Sequence, residues 1–202
     1  MLLANNLKFK RFDKIIFENI QISASSGKII FIRGNNGSGK TTLIKTLANI
    51  LEPIDGEIFW MGKKIKKNIF NYFNSTSLIL DSPSCTQEMT VIENIKFWKG
   101  INSSKITEVG IIKLIKILEL DEYINKPVMY LSHGEIKKLE LTRLILEQKK
   151  LWILDEPYNG LDSKSISLVN DTFIDHISND GIIIFSSHFQ PDIRNMEVIS
   201  LD

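Results

Sequence analysis

One stretch limits what this chain can fold into. Gly34-Asn35-Asn36-Gly37-Ser38-Gly39-Lys40-Thr41-Thr42 follows the spacing G-x-x-x-x-G-K-[ST] of a phosphate-binding loop, and its flanks supply the required context. Before it, Lys28-Ile29-Ile30-Phe31-Ile32-Arg33 is a short apolar, β-branched run that predicts a buried strand. After it, Leu43, Leu47, Ile50 and Leu51 recur at helical spacing, which predicts an amphipathic helix from Lys40 to Leu51. A strand, a glycine turn and a helix start in that order imply an α/β fold.

The residue types match a polyanion. Gly34, Gly37 and Gly39 allow backbone N–H groups to approach phosphates with no Cβ in the way. The helix start adds unpaired N–H groups and the positive end of its dipole. Lys40 places a charge on the β- and γ-phosphates, and the Thr41 hydroxyl suits Mg²⁺. A nucleoside triphosphate is the expected ligand.

Composition narrows the setting. The 202 residues are enough for a sizeable core. The net charge of +1 gives no basic excess to suggest nucleic acid or an anionic membrane surface. Cys85 is the one cysteine, which excludes an internal disulfide and a multi-cysteine metal site. No apolar run approaches a bilayer-spanning length. The N-terminal Met1 to Asn6 resembles neither a signal peptide nor a mitochondrial presequence, so a reducing compartment is expected, with any membrane spans supplied by other chains.

In chain order, loose alternation from Leu2 to Ile22 predicts antiparallel strands, and Glu57 to Met61 a further short strand. Lys63 to Tyr72 is basic and reads as a loop, and Ser77 to Leu80 reads as a buried strand. Helical periodicity over Thr90–Trp98 and Ile106–Leu120 marks a mainly helical insertion, residues 85–130, within a core of 1–84 and 131–202. Ser132 and Glu135 have capping-box spacing at the start of another helix. Leu151 to Leu154 predicts a buried strand ending in Asp155-Glu156-Pro157, and a helix follows from Ser163 to Ile177. Ile182 to Phe185 predicts another buried strand ending in Ser186-Ser187-His188, and Met196 to Leu201 an edge strand.

Carboxylates at the C-terminal end of a buried parallel strand lie where ligands bind in open α/β sheets. Asp155 is therefore a candidate Mg²⁺ ligand, and Glu156 is placed to polarise an attacking water. Alone, four apolar residues before Asp-Glu usually mark only a strand end; downstream of a phosphate loop they mean more.

The ordered set of phosphate loop, Leu131-Ser132-His133-Gly134-Glu135, Leu151 to Pro157, Gly160-Leu161-Asp162 and Ser187-His188 resembles the ABC-type ATPase subunits over nearly the whole chain. The resemblance implies a nucleotide-binding domain with a mixed core sheet, an antiparallel β subdomain and an inserted helical subdomain. It implies ATP and Mg²⁺ as cofactors, with residues 34–42 cradling the phosphates. Ser132 and the Gly134 N–H match the signature that faces the nucleotide of a second copy, in a head-to-tail homodimer. Asp162 matches the aspartate that couples the two sites, and His188 the histidine that contacts the γ-phosphate. Phe12 matches the aromatic that stacks on adenine, with Phe9 and Arg11 close enough to leave the choice open. Catalytic roles fall to Lys40, Glu156 and His188.

Two positions depart from the family pattern. His133 stands where a glycine is usual, and its imidazole would either crowd the nucleotide or add charge near the phosphates. Ser82 stands where a glutamine usually joins Mg²⁺ to the membrane-coupling surface; the shorter side chain reaches a metal only through water.

Residues Glu88 to Trp98, Leu151 to Pro157 and Gly181 to His188 are most similar to ATP-binding subunits of cytochrome c maturation (haem exporter) complexes. That resemblance implies separate membrane-spanning partners, no nucleic acid, and a place at the matrix face of a mitochondrial inner membrane or the cytoplasmic face of a bacterial one. Export of another substrate, a weakly hydrolysing nucleotide switch and a soluble ABC protein acting on ribosomes or DNA are the rival readings. For the last, the double cassette, long coiled coil and basic surface are all lacking.

Overall fold

The computed structural model describes residues 1–201. The strands are β1 (Leu2–Arg11), β2 (Lys14–Ala24), β3 (Lys28–Arg33), β4 (Asp55–Trp60), β5 (Lys63–Lys64), β6 (Thr76–Ile79), β7 (Leu151–Asp155), β8 (Ile182–Ser186) and β9 (Glu197–Ser200). The helices are α1 (Lys40–Leu47), α2 (Ile69–Asn74), α3 (Val91–Ile101), α4 (Glu108–Ile117), α5 (His133–Glu147) and α6 (Ser163–Ser178). The chain divides into two compact units.

The first unit comprises Met1–Leu78, Lys149–Glu156 and the chain from Asn170 onward. It holds two sheets. Half-buried β1, β2 and β4, with the exposed β5, form an antiparallel sheet in the order β2-β1-β4-β5, with Leu2 opposite both Ala24 and Trp60. The second sheet runs β6-β7-β8-β3-β9, and the β7–β8, β8–β3 and β3–β9 pairs are parallel. Strands β7 and β8 are buried along their whole length, as expected for parallel strands covered on both faces. Burying each isoleucine of such a strand contributes roughly 1.5–3 kcal/mol relative to leaving it exposed. β9 lies at the edge, with most of its side chains exposed. The parallel register carries the ends of β3, β7 and β8 to one side, which is where the conspicuous residues of the sequence cluster.

Two local expectations need correcting. Helix α1 stops at Leu47 rather than Leu51. Asn49 takes a left-handed φ of 57°, and the N–H groups of Ile50 and Leu51 both turn back to the Lys45 carbonyl. The basic stretch from Lys63 is structured: β5 is followed by a 3₁₀ turn, Ile65–Lys67, and then α2. Its anchors are isolated residues that carry no periodic signal. Ile65 and Tyr72 are buried, and the Tyr72 hydroxyl donates to the Leu47 carbonyl at 2.6 Å.

The second unit comprises Ile79–Gln148 and Pro157–Val169, so it takes in α5 as well as the insertion read from the sequence. Helices α3, α4 and α5 share a cluster that includes Val91, Ile95, Trp98, Ile111, Leu114, Ile115, Leu139 and Leu146. Helix α3 starts at a full capping box between Thr90 and Glu93, and α5 at a second between Ser132 and Glu135. Each box satisfies two backbone donors that the first helical turn leaves unpaired.

Candidate active site

The phosphate loop joins β3 to α1 in the first unit. Gly39 sits at the N-cap with φ 104°, and a Cβ there would lie 2.6 Å from Ile16 Cγ2. Both the angle and the space demand glycine. No side chain caps α1 and no acidic residue occupies its first turn, so the positive end of the helix is left for an external anion. Lys40 is buried, and its Nζ donates to the carbonyls of Gly34 at 2.8 Å and Asn35 at 3.1 Å, which holds the ammonium over the loop. The buried Ser38 Oγ has no hydrogen-bond partner. Buried hydroxyls are normally paired, so this orphan marks a place for a ligand acceptor.

Asp155 ends β7 fully buried, directly opposite Ser186 in the parallel register, and accepts a 2.5 Å bond from the Ser186 hydroxyl. Glu156 follows with φ 48°, a left-handed conformation that costs about 1–3 kcal/mol for a residue with a side chain. Its N–H donates to the Ser186 carbonyl at 3.0 Å, which fixes the strained turn. The turn aims the carboxylate at the end of β8, where Glu156 Oε2 accepts from the His188 N–H at 3.2 Å and lies 3.0 Å from His188 Nδ1. Loop, buried aspartate, glutamate and histidine all belong to the first unit.

These groups fit a nucleotide with a hard cation. Among the described residues no three His, Cys, Asp or Glu side chains converge on one metal position. One buried carboxylate at a strand end, in the same unit as a phosphate loop, nevertheless suits the chemistry of Mg²⁺, which takes one or two carboxylates plus phosphate oxygens and water. The glycine cradle and the orphaned Ser38 hydroxyl fit the phosphates.

Phe12 also belongs to the first unit. It lies in the β1–β2 hairpin with φ 51°, is 93% exposed, and lines an open groove with Arg11, Asp13, Lys14 and Ile16. Ile16 is the side chain that packs on Gly39, so the hairpin and the phosphate loop are adjacent. The Phe12 ring thus presents a large aromatic face to solvent next to the phosphate loop.

The remaining sequence candidates belong to the second unit. Ser132 caps α5, accepting from the Glu135 N–H at 3.3 Å and donating its own N–H to Glu135 Oε2 at 2.6 Å. A Cβ on Gly134 would lie 2.5 Å from the Gly160 carbonyl oxygen, so only glycine lets these two backbones meet. The His133 ring lies against Gly160, where an added Cβ would come within 2.6 Å of Nδ1. Asp162 accepts from the Ser165 N–H at 2.8 Å in the first turn of α6, and its bonds to Ser165 hold its carboxyl below the usual carboxylate range. Ser82 is exposed in the turn after β6.

Sequence reasoning missed Ser186. Its hydroxyl and carbonyl hold Asp155 and the Glu156 backbone, respectively. The available signal was the alignment of two apolar runs, Leu151–Leu154 and Ile182–Phe185, which sets a serine opposite the aspartate.

Residues 17–159 match the ABC transporter family. The cytochrome c biogenesis ATP-binding export protein CcmA of Vibrio cholerae is 31% identical over 93% of this chain and 91% of its own length. A Pyrococcus furiosus protein assigned to the ABC transporter ATP-binding proteins superposes with a TM-score of 0.85 at 25% identity, covering 99% of this chain and 96% of its own. An ATP-binding cassette solved as a dimer in a post-hydrolysis state with ADP and Pi superposes at 0.81 and 19% identity, over 100% of this chain and 94% of its own; it shares the fold.

Proposed function

The chain belongs to the ABC transporter family as an ATP-binding subunit, and from that premise we propose that it hydrolyses Mg-ATP to drive a membrane complex of c-type cytochrome biogenesis. The contact between Glu156 and His188 is the observation that carries the catalytic half of the proposal. A strained glutamate fixed to a histidine at the strand ends is a water-orienting pair.

Lys40 and the N–H groups of residues 34–42 would stabilise the charge on the transferring phosphoryl group, while Glu156 and His188 orient the attacking water. Asp155 and Thr41 would hold the cation. Bound Mg²⁺ would neutralise charge between the β- and γ-phosphates. Phe12 would stack on adenine. Ser132 and Gly134 would face the nucleotide of a second copy, with Asp162 at the shared boundary. The dimeric ADP-bound neighbour of the same fold supports that pairing.

Among the described residues no helix is long and apolar enough to cross a membrane, so separate spanning subunits would complete the complex. The chain would then sit at the membrane surface as a peripheral protein, on the nucleotide-containing side, in a bacterium or a mitochondrion. The cytochrome assignment is supported by the names of its relatives.

The test is to disrupt the gene in its native cell and measure covalently bound haem in c-type cytochromes. Loss of that haem, restored by the wild-type chain and not by Lys40→Ala, is the expected result. Normal cytochromes in the disrupted cell would reassign the subunit to the export of another substrate.

A further inference from the structure

Residues 81–85, the segment containing Ser82, form no helix or strand, yet both of its ends are fastened to α5 within the second unit. At one end, Asp81 Oδ1 lies 3.8 Å from Nζ of the buried Lys137 and accepts from the Asn159 amide at 3.3 Å. At the other, Glu140 is 2% exposed. Its Oε1 accepts from the N–H groups of Ser84 and Cys85, both at 2.7 Å, and its Oε2 accepts from the Ser84 hydroxyl at 3.0 Å. Arg143 completes the group, donating to Glu140 Oε2 at 3.3 Å and to Ser84 Oγ at 2.7 Å. The guanidinium also lies over the Trp98 ring and bonds Glu147.

A buried carboxylate is costly unless it is paired and fully hydrogen-bonded, and an apolar residue would fill the same space more cheaply. This one spends its acceptors on two backbone N–H groups of an irregular segment. Lys137 and Glu140 are three residues apart, so they point from one face of α5. Glu140 lies eight residues from Ser132, about 12 Å along the helix axis. These contacts tie residues 81–85 to the same helix whose first turn Ser132 caps.

We propose that Glu140 is a positioning residue: it makes residues 81–85 and α5 one mechanical body, so that coupling in this chain runs through the Glu140 clamp rather than through a long side chain at position 82. The proposal rests on the ATPase reading above. Cys85 reports on the clamp as well, because burial and the nearby Glu140 carboxylate push its thiol up to about 11.

The experiment uses the full chain as wild type, Glu140→Ala and Glu140→Gln. It measures hydrogen exchange of the 84 and 85 amides, maleimide labelling of Cys85, and steady-state ATP turnover. In Glu140→Ala the two amides should lose protection, Cys85 should label faster, and kcat should fall at least tenfold while the KM for ATP stays within twofold. Glu140→Gln keeps an acceptor for both amides and should restore protection and most of kcat, which a merely charge-dependent folding role would not do.

In the wild type, added Mg-ATP should change exchange in residues 81–86 and 132–136 together. This arm holds even if Glu140→Ala does not fold. A folded Glu140→Ala with unprotected amides and wild-type kcat would overturn the proposal, as would a response to ATP confined to one of the two segments. A wild type with protected amides but no ATP turnover would instead overturn the ATPase reading, and this role with it.

Discussion

Glu156 Oε2 lies 3.0 Å from Nδ1 of His188, at the ends of strands β7 and β8, and accepts the His188 backbone N–H as well. The histidine side chain is 61% exposed against 16% for the glutamate, so one partner is held within the fold and the other faces solvent. His188→Ala should lower kcat about 100-fold, within the usual contribution of a positioned proton-transfer group. Nucleotide affinity should change little. Phosphate release and a nucleotide titration on the same preparation check both.

Gly39→Ala places a methyl group on a left-handed backbone and against Ile16. The strained conformation costs about 1–3 kcal/mol, and relief would require the phosphate loop to move. A lower melting temperature together with at least a tenfold loss of ATP affinity is expected from thermal melts and titration.

Ser132 has a structural duty separate from any contact with nucleotide, since it caps α5. Ser132→Ala should destabilise the nucleotide-free protein by about 1 kcal/mol. Ser132→Asp can still cap, so in urea melts it should recover most of that loss. If the hydroxyl also meets the nucleotide of a second copy, the aspartate would repel phosphate and leave turnover low.

His176 stacks on Trp152 with ring centroids 3.6 Å apart, and burial lowers its pKa. A lowered histidine pKa means the unfolded chain binds the proton more readily than the folded one. Its contribution is therefore fully present above the unfolded value of about 6.5 and is lost as pH falls from there toward the folded value. Between pH 7.5 and 5.5 the denaturation midpoint of the wild type should fall further than that of His176→Gln. Paired denaturant melts at the two pH values measure the difference.

What was legible in the sequence had either strong periodicity or a fixed local chemistry. The β3–loop–α1 unit, the apolar runs of β7 and β8, and the Ser132 capping box are each specified by neighbours within a few residues. Helix α2 was not legible, because its one fully buried residue, Tyr72, is held by a hydrogen bond to a carbonyl 25 residues earlier. Glu140 and Lys137 are charged residues in a helical stretch, and only tertiary structure shows them buried against residues 81–85. The left-handed φ of Glu156 is likewise invisible in sequence, since it is imposed by Ser186 across the sheet.

Phosphate release from ATP by the wild type and by Glu156→Gln, followed over a single turnover at saturating Mg-ATP, tests the central claim most directly. The expected result is prompt release by the wild type and release slowed at least 100-fold in the variant, which still retains ATP. Equal rates in the two proteins would contradict it.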